Sequence, residues 1–360
     1  MKKKFTSFAF AALFLSVGLF LTSCTTEPGE DKPVTPGATE KGVYITNEGQ
    51  FTKGNGAVSF ISKETNKVER DLFMTVNSRP LGDVVQSMTI HNGKAYIVVN
   101  NSNKVEIADA NTFKEAGVVN GLAMPRYAVG LNNKLYVTEY AEYGKPGRVS
   151  VIDLATNTVS KTITVGESPE KLLVLNNKLY VVNSDDNTVS VINTATDAVE
   201  KTITVSHGPN SLAVDAANNI WVLCGGEKVY DSSWNLDLNA STAGSLVKID
   251  AASGTVTQNL TFTSKADIPN NLAINAAKTK LYYNYEGKLY QLEASATTLP
   301  ATALINRNFS GVGIDPETNT IYGAVSTSFT ANGKVVRYTP AGAPQDSFTV
   351  AIGPNNFLFK

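Results

Sequence analysis

Side chains that could act as nucleophiles, bases or metal ligands are rare in this sequence of 360 residues, which contains two cysteines and two histidines. These counts exclude a disulfide framework, a cysteine zinc site and a site with several histidine ligands. His91 falls in a predicted turn before Asn92 and Gly93, and His207 falls alone in a predicted loop. A hydrolase triad needs a base within reach of a nucleophile, so both histidines are interpreted as structural or solvent-exposed.

The N-terminal segment that ends at Cys24 contains the one short motif in this sequence that predicts a covalent modification. Lysines at positions 2–4 precede an apolar run at residues 8–21, which is too short for a comfortable transmembrane helix and is typical of a cleavable secretion signal. The sequence LTSC at residues 21–24 looks like a bacterial lipobox, in which cleavage before Cys24 allows its thiol to be acylated. With Cys24 lipidated, Cys224 has no partner and is predicted to be a small buried side chain in a strand.

Residues 24–41 are predicted to form a flexible tether after the signal peptide at residues 1–23. Proline, glycine, threonine and charged residues dominate this segment, so it is expected to hold the folded part away from the bilayer. Acidic residues soon after Cys24 resemble surface-export signals in some Gram-negative lipoproteins. The prediction is an outer-membrane protein that is attached through its lipid anchor only and faces the cell exterior.

The charge balance limits the partners of the folded part. The formal net charge is -1, and it falls to about -4 when the three lysines of the signal peptide are removed. Charge that is spread without long runs argues against nucleic acid and against a polybasic membrane patch. Apolar residues make up 42% of the chain and charged residues 18%, which is enough apolar content for a globular core and too much for a disordered chain.

Most of the chain repeats a unit of about 40 residues. VSKTITV at residues 159–165 and VEKTITV at residues 199–205 differ at one of seven positions and are offset by 40. Each unit predicts four short strands, A to D. A recurring apolar signal, usually Pro-x-x-apolar, marks the start of strand A in six units, at Val85, Pro125, Pro169, Pro209, Pro269 and Phe309.

Partial units at the two ends predict how the molecule closes. The first unit, at residues 43–73, has strands B, C and D (the last at residues 67–73) without strand A, whereas residues 354–359 supply a strand A with nothing after it. Joining both ends in one blade removes the open edge of a radial array, and a linear solenoid would need caps that the sequence lacks. The prediction for residues 42–360 is an all-β, seven-bladed β-propeller with four-stranded antiparallel blades, closed by a C-terminal strand in the N-terminal blade.

Residues 175–209 resemble the YVTN-type propeller repeat, and the resemblance extends over residues 42–360. It implies the fold but little about function, because propellers serve as enzymes, receptors and scaffolds. ITNEGQF, LGDVVQSM, VVNNS and NTFKEAG, which begin at residues 45, 81, 98 and 111, are similar to a family of surface cobalamin-capturing (BtuG-like) propeller lipoproteins. This resemblance implies ligand capture at the cell surface, with a corrinoid such as cobalamin as a possible ligand and a TonB-dependent transporter as partner.

The predicted chain path places the B–C and D–A loops on one face, where propellers commonly bind their ligands. The B–C loop at residues 139–147 and a B–C insertion in the fifth unit stand out by length and aromatic content. Aromatic faces with amide donors and acceptors suit a large, partly apolar ligand such as a corrinoid, or a sugar chain. The expected ligand contacts are Phe51, Gln86, Asn101, Arg126, Tyr127, Tyr140, Tyr143, Tyr230, Trp234 and Asn270. Further polar residues expected on this surface are Asn47, Glu48, Gln50, Asn100, Asn103, Lys171, Asn210 and Asn355.

Two other classes of function stay open at this point. Some propeller lactonases and lyases hold one divalent metal in the central channel, and oxygen ligands suit calcium. The residues that could form such a set are Glu48, Asn101, Asn210 and Asn270. A protein-interaction or adhesion module without a small ligand is the other alternative. No resident cofactor is expected, and turn chemistry rather than metal binding explains the carboxylates that recur after strand C, at Asp109, Asp153 and Asp250.

Overall fold

Twenty-seven strands and one short helix occur in residues 41–360, the part of the chain that this computed structural model describes. Cys24, the signal peptide and residues 24–40 of the tether lie outside the described residues. No helix within residues 41–360 has the length and apolar character needed to cross a bilayer.

The strands follow one another in antiparallel groups along the chain. The first groups are β1 (Gly42–Asn47), β2 (Ala57–Ser62) and β3 (Val68–Glu69), then helix α1 (Leu72–Asn77), then β4 (Val85–His91), β5 (Lys94–Val99), β6 (Lys104–Asp109) and β7 (Glu115–Val119). The middle groups are β8 (Pro125–Leu131), β9 (Lys134–Glu139), β10 (Pro146–Asp153) and β11 (Thr158–Glu167), then β12 (Pro169–Leu175), β13 (Lys178–Asn183), β14 (Thr188–Asn193) and β15 (Ala198–Thr204). The last groups are β16 (Pro209–Val214), β17 (Asn219–Cys224), β18 (Ser245–Asp250) and β19 (Thr255–Thr261), then β20 (Asn270–Ile274), β21 (Lys280–Tyr285) and β22 (Lys288–Glu293), then β23 (Gly311–Ile314), β24 (Ile321–Val325), β25 (Lys334–Tyr338), β26 (Pro344–Thr349) and β27 (Pro354–Phe359).

These strands form seven sheets, which are the blades of a propeller. Six sheets have four strands and the sixth blade has three. In six blades the chain runs from the inner strand outward, whereas the inner strand of the first blade, β27, comes from the end of the chain. The inner strands β27, β4, β8, β12, β16, β20 and β23 each contact the inner strands of both neighbouring blades. This continuous circle of contacts confirms the predicted seven-bladed propeller.

The predicted closure of the circle is also confirmed. Strand β27 pairs antiparallel with β1, with Tyr44 opposite Leu358 and Ile45 opposite Phe357. Beyond the pair, the Lys360 backbone N–H donates to the Gly42 carbonyl oxygen at 2.9 Å. The last strand of the chain is therefore the inner strand of the first blade, and β1 has no open inner edge.

Hydrophobic clusters lie between adjacent blades because the central strands are covered on both faces. A tyrosine in strand B, at the position of the tyrosine in the KLYV motif, extends to the C–D turn of the next blade in at least three blades. The Tyr44 hydroxyl donates to the Ala110 carbonyl oxygen at 2.8 Å, and the Tyr136 hydroxyl donates to the Asp197 carboxylate at 2.7 Å. The Tyr180 hydroxyl donates to the Ala251 carbonyl oxygen at 3.3 Å. Each of these hydroxyls is thus satisfied while it links two blades.

Two outer strands differ from the prediction. In the first blade, strand D was expected at residues 67–73, but β3 ends at Glu69 and α1 begins at Leu72, where the Asp71 side chain accepts the Met74 backbone N–H at 3.2 Å as an N-cap. In the sixth blade, residues 294–310 replace a fourth strand with irregular chain whose bridge to β22 is Leu289–Ile305. An outer strand pairs on one side only, so its residues are less tightly constrained than those of the inner strands.

Candidate functional site

One face of the propeller carries both the loops inside the blades and the connections between them. It consists of the loops between the second and third strands of each blade and the segments that enter the next inner strand, and we call it the loop face. Hydrogen bonds join the two kinds of loop: Gly49 N–H to the Ile352 carbonyl at 2.9 Å, and Ser184 N–H to the Ser168 carbonyl at 3.0 Å. The predicted common surface is therefore present.

Exposed apolar side chains concentrate on the loop face. Among the described residues, eleven large apolar side chains are exposed, and none of them lies in the turns of the opposite face. The seven on the loop face are Phe51, Tyr143, Tyr230, Trp234, Leu238, Ile268 and Phe329. The other four lie on outer strands or on α1. Sequence reasoning named four of the seven and missed Leu238, Ile268 and Phe329, although Phe329 lies in a long loop of the same kind between β24 and β25.

The third-blade loop contains one free and one anchored tyrosine. Tyr143 is 71% exposed, and its ring lies 5.8 Å from that of Tyr140 in an edge-to-face arrangement. The Tyr140 hydroxyl instead donates to the Glu170 carboxylate, and the Tyr140 ring lies 4.8 Å from the Arg126 guanidinium carbon. Tyr143 is therefore available to a ligand, whereas Tyr140 supports the residues beneath it.

Four residues around Arg126 form a polar cluster at the mouth of the central channel. Its guanidinium donates to the Glu170 carboxylate at 2.7 and 3.0 Å and to the Gln86 side-chain oxygen at 2.7 Å. Gln86 in turn donates to the Tyr127 hydroxyl at 3.4 Å. We call Gln86, Arg126, Tyr127, Tyr140 and Glu170 the mouth cluster. The sequence prediction included all of these residues except Glu170, because no motif or spacing in the sequence distinguishes Glu170 as a functional residue.

Burial and charge shift the proton affinities of this cluster. Burial raises the pKa of Tyr127 to about 12, and the Glu170 carboxylate contributes in the same direction. Burial and Glu170 also hold the pKa of Tyr140 above its ordinary value. Burial alone would lower the pKa of Arg126, but the Glu170 carboxylate more than offsets it and raises that pKa. Both tyrosines are therefore neutral hydrogen-bonding groups at neutral pH, and Arg126 is cationic.

Several predicted ligand residues are occupied within the fold. Asn47 is fully buried and its amide donates to the Ile45 carbonyl and the Ser59 hydroxyl, so its expected place on the binding surface is wrong. The Asn101 amide donates to the Asp83 carboxylate, and the Asn270 side-chain oxygen accepts from the amides of Asn271 and Asn284 at 3.0 and 3.1 Å.

The proposed oxygen ligands for calcium also have partners. Glu48 accepts from the Asn355 amide at 3.0 Å, and Asn210 donates to the Pro269 carbonyl at 2.9 Å. Within residues 41–360, no three or more His, Cys, Asp or Glu side chains form a group that could hold a metal ion. The recurrent aspartates act as turn residues, as predicted: the Asp109 carboxylate accepts from two backbone N–H groups, at 2.8 and 3.0 Å.

The fifth-blade insertion, at residues 225–244, is built around Asp231. This carboxylate accepts the backbone N–H groups of Ser233 at 2.8 Å and Asn235 at 2.9 Å, which lowers its pKa. The turn that results holds the rings of Tyr230 and Trp234 6.4 Å apart, with Trp234 85% exposed. These two predicted residues are therefore presented together to solvent.

Two cavities adjoin the fifth blade. One of about 460 Å³ on the loop face is lined by Asp185, His207, Asn210, Glu227 and Lys228, with His207 Nε2 4.0 Å from the Glu227 carboxylate. The other, of about 550 Å³, lies between the fifth and sixth blades, where the fourth strand of the sixth blade is missing. It is lined by aromatic and apolar side chains, among them Phe262, Tyr283, Tyr285, Tyr290, Leu299 and Pro300. Sequence reasoning found neither cavity.

Cys224 lies in β17, fully buried as predicted, and burial raises the pKa of its thiol to about 12. It is therefore an unreactive core side chain at neutral pH.

The fold and the loop face define a seven-bladed β-propeller with one polar channel mouth surrounded by exposed aromatic loops. A family model described as "Domain of unknown function (DUF5074)" matches residues 41–342. The chain belongs to this family. A comparison with curated proteins gave no significant match.

Solved structures similar to this chain are propellers of varied description. A quinonprotein alcohol dehydrogenase-like protein from Bacteroides thetaiotaomicron is 14% identical with a TM-score of 0.65, over 89% of this chain and 78% of that one. The periplasmic gluconolactonase of Pseudomonas aeruginosa is 12% identical with a TM-score of 0.63, over 88% and 99%. A putative 6-phosphogluconolactonase from Bacteroides fragilis is 13% identical with a TM-score of 0.60, over 89% and 98%. At these identities the similarity shows the fold alone.

Proposed function

We propose that this protein is a lipid-anchored capture protein of the outer-membrane surface that binds a bulky, partly apolar ligand on its loop face. The observation that carries the proposal is the distribution of exposed apolar side chains, seven of which lie on this face and none on the opposite turns, within residues 41–360. Exposed apolar groups cost free energy in water, and their concentration on one face is typical of a binding surface.

The ligand proposed is a corrinoid, passed on to a TonB-dependent transporter. A corrinoid offers a broad apolar ring and peripheral amides. Tyr143 and Trp234 supply exposed rings in loops of the third and fifth blades. Asn103, an exposed residue that was predicted for this surface, supplies an amide. This combination of aromatic surface and few polar groups fits such a ligand, and the similarity of the N-terminal segments to corrinoid-capturing lipoproteins favours the same choice.

Binding is proposed rather than catalysis. His207 Nε2 lies 4.0 Å from the Glu227 carboxylate, in a cavity open to the loop face. This distance is too long for a hydrogen bond, so Glu227 does not orient the imidazole as a catalytic base would require. The hydroxyls and carboxylates of the mouth cluster are engaged with each other, since Glu170 accepts from both Arg126 and Tyr140. Such a cluster positions side chains, and its carboxylate is not available as a base.

The test is a calorimetric titration of the protein with cyanocobalamin. We expect measurable binding, and the double variant Tyr143→Ala/Trp234→Ala should weaken it by roughly thirtyfold because buried aromatic anchors dominate such interfaces. Both side chains are mostly exposed in the free protein, so the melting temperature should stay unchanged. Val256→Ala, which removes an exposed apolar side chain on β19 outside the loop face, is the matched control and should bind normally.

Two results would contradict the proposal. If cyanocobalamin produces no heat while the protein co-purifies with an outer-membrane barrel, the loop face is a protein-interaction surface. If the double variant binds as well as the Val256→Ala control, the aromatic loops are not the site.

A further inference from the structure

A cavity of about 190 Å³ lies in the central channel, between the inner strands of five blades. Its volume corresponds to about six water molecules. Six of the ten residues that line it have apolar side chains, including Met88, Leu173, Leu212 and Phe357, and polar atoms contribute about half of its surface. Among the groups that line it, Lys171 is the only side chain with a formal charge.

Among residues 41–360, the Lys171 ammonium has no counter-ion. Within the described residues it makes no hydrogen bond or ion pair, and its one specific contact is with the ring of Tyr127, 5.9 Å from the ring centre. Glu170 is its neighbour in sequence, but that carboxylate is bound by Arg126 and Tyr140 in the mouth cluster. Burial lowers the pKa of Lys171, and Glu170 opposes the shift only in part. A half-buried ammonium without an acidic partner is less favourable than one in bulk water.

A second donor is available beside this ammonium. The Tyr127 hydroxyl accepts from the Gln86 amide at 3.4 Å, and the Asn356 amide also lies against its oxygen. No acceptor for the Tyr127 proton occurs among the described residues, so the hydroxyl can donate to a ligand. Both Tyr127 and Lys171 line the cavity. Among the described residues, the channel therefore holds one cation without an acidic partner and one O–H donor without an acceptor, next to several apolar side chains.

We propose that the central channel is a binding site for a small carboxylate with an apolar body. The carboxylate oxygens accept from Lys171 and Tyr127, and the apolar body packs against Met88, Leu173 and Phe357. A carboxylate is favoured over inorganic phosphate because phosphate would direct further polar oxygens at the apolar side chains of Met88, Leu173 and Phe357. The site is distinct from the aromatic loops, although it shares Tyr127 with the mouth cluster.

The test uses sodium butyrate as the probe, with the full chain at constant ionic strength set by sodium chloride. Butyrate should raise the melting temperature in a concentration-dependent way, since a ligand that binds the folded state stabilises it. 1-Butanol, which has the same apolar chain without charge, and inorganic phosphate should have much weaker effects. Calorimetric titration gives the affinity of each probe directly.

Two variants locate the effect. Lys171→Met keeps most of the length of the side chain and removes the charge, so butyrate affinity should fall at least tenfold. The variant should also melt at or above the wild-type temperature without butyrate, because a half-buried charge without an acidic partner is replaced by an apolar group. Tyr127→Phe should weaken butyrate several-fold. Lys114→Met, which removes an exposed lysine in the turn after β6, is the matched control and should keep the full response.

The proposal is wrong if Lys171→Met responds to butyrate as the wild type does, or if butanol stabilises as strongly as butyrate. A response to phosphate equal to that of butyrate would overturn the assignment to a carboxylate. Loss of the butyrate response in Lys171→Met, with a folded protein by circular dichroism and a normal response in Lys114→Met, supports it.

Discussion

At the scale of single residues, the mouth cluster shows how a side chain expected to bind a ligand can instead organise the site. Arg126 and Tyr140 were predicted to contact the ligand because they lie in loops or at the start of inner strands. In the structure both are directed at Glu170, with the Arg126 side chain 20% exposed and the Glu170 side chain 12% exposed. The residue types and their positions in the repeat predicted that these side chains lie on the loop face. Their pairing with Glu170 could not be predicted, because it depends on the packing of the third blade against the fourth.

Glu170→Gln tests this pairing. The substitution keeps the shape of the side chain and removes the charge that faces Arg126, so it should destabilise the fold by about 2 kcal/mol, between the values typical of exposed and buried ion pairs. Urea unfolding followed by circular dichroism measures the change. Glu142→Gln, in the exposed loop nearby, is the control and should leave stability unchanged. A loss below about 0.5 kcal/mol for Glu170→Gln would show that the Arg126 charge is satisfied by solvent.

At the scale of strands, the serine of the VSVI repeat has a structural role. Ser59, Ser150 and Ser190 lie at equivalent positions in the third strands of three blades, and each is buried. Each contacts the polar residue that ends the second strand of its blade, namely Asn47, Glu139 and Asn183. The repeat therefore preserves a hydrogen bond between strands, which explains a polar residue within an otherwise apolar strand.

Ser190→Ala should cost about 1–2 kcal/mol of unfolding free energy, because the buried Asn183 amide loses its 3.0 Å partner and keeps only Thr188. Chemical denaturation gives the value. Ser160→Ala on β11 removes an exposed serine that donates to the Val151 carbonyl at 3.0 Å, and its effect should be several-fold smaller. Equal effects would mean that burial of the serine does not matter.

At the scale of the whole molecule, closure through β27 makes each blade depend on both neighbours. The N–H of Lys360 and the carbonyl of Gly42 are bonded at 2.9 Å, where the other blades have a short turn between their first two strands. A circular permutant that begins at Pro354, joins Lys360 to Gly42 through Asn-Gly and ends at Gly353 restores that hairpin. Its melting temperature should match that of the chain that starts at Lys41, with one cooperative transition.

The corresponding deletion is the informative comparison. Removal of residues 354–360 leaves β1 with an open edge and exposes Tyr44 and Ile45, so we expect aggregation or loss of the cooperative transition. A deletion variant that melts like the intact chain would show that β27 is dispensable, and a permutant that fails to fold would show that closure needs the native chain ends.

The sequence alone determined the architecture, because a repeated pattern of four strands and an incomplete unit at each end permit few other arrangements. The seven blades, the closure between β1 and β27, the turn aspartates and the burial of Cys224 were all predicted for this reason. Local signals decide turns and strands, and they recur in every unit.

Only the tertiary structure decided which side chains meet across blades. Three features of the structure depend on residues from different blades. They are the pairing of Arg126 with Glu170, the aromatic cavity beside the three-stranded sixth blade and the channel cavity that contains Lys171. Such contacts depend on the distance and angle between blades, which no periodicity within a unit encodes. The repeat pattern therefore predicts the fold of the propeller, whereas the packing between blades determines the contacts and the environment of the polar side chains.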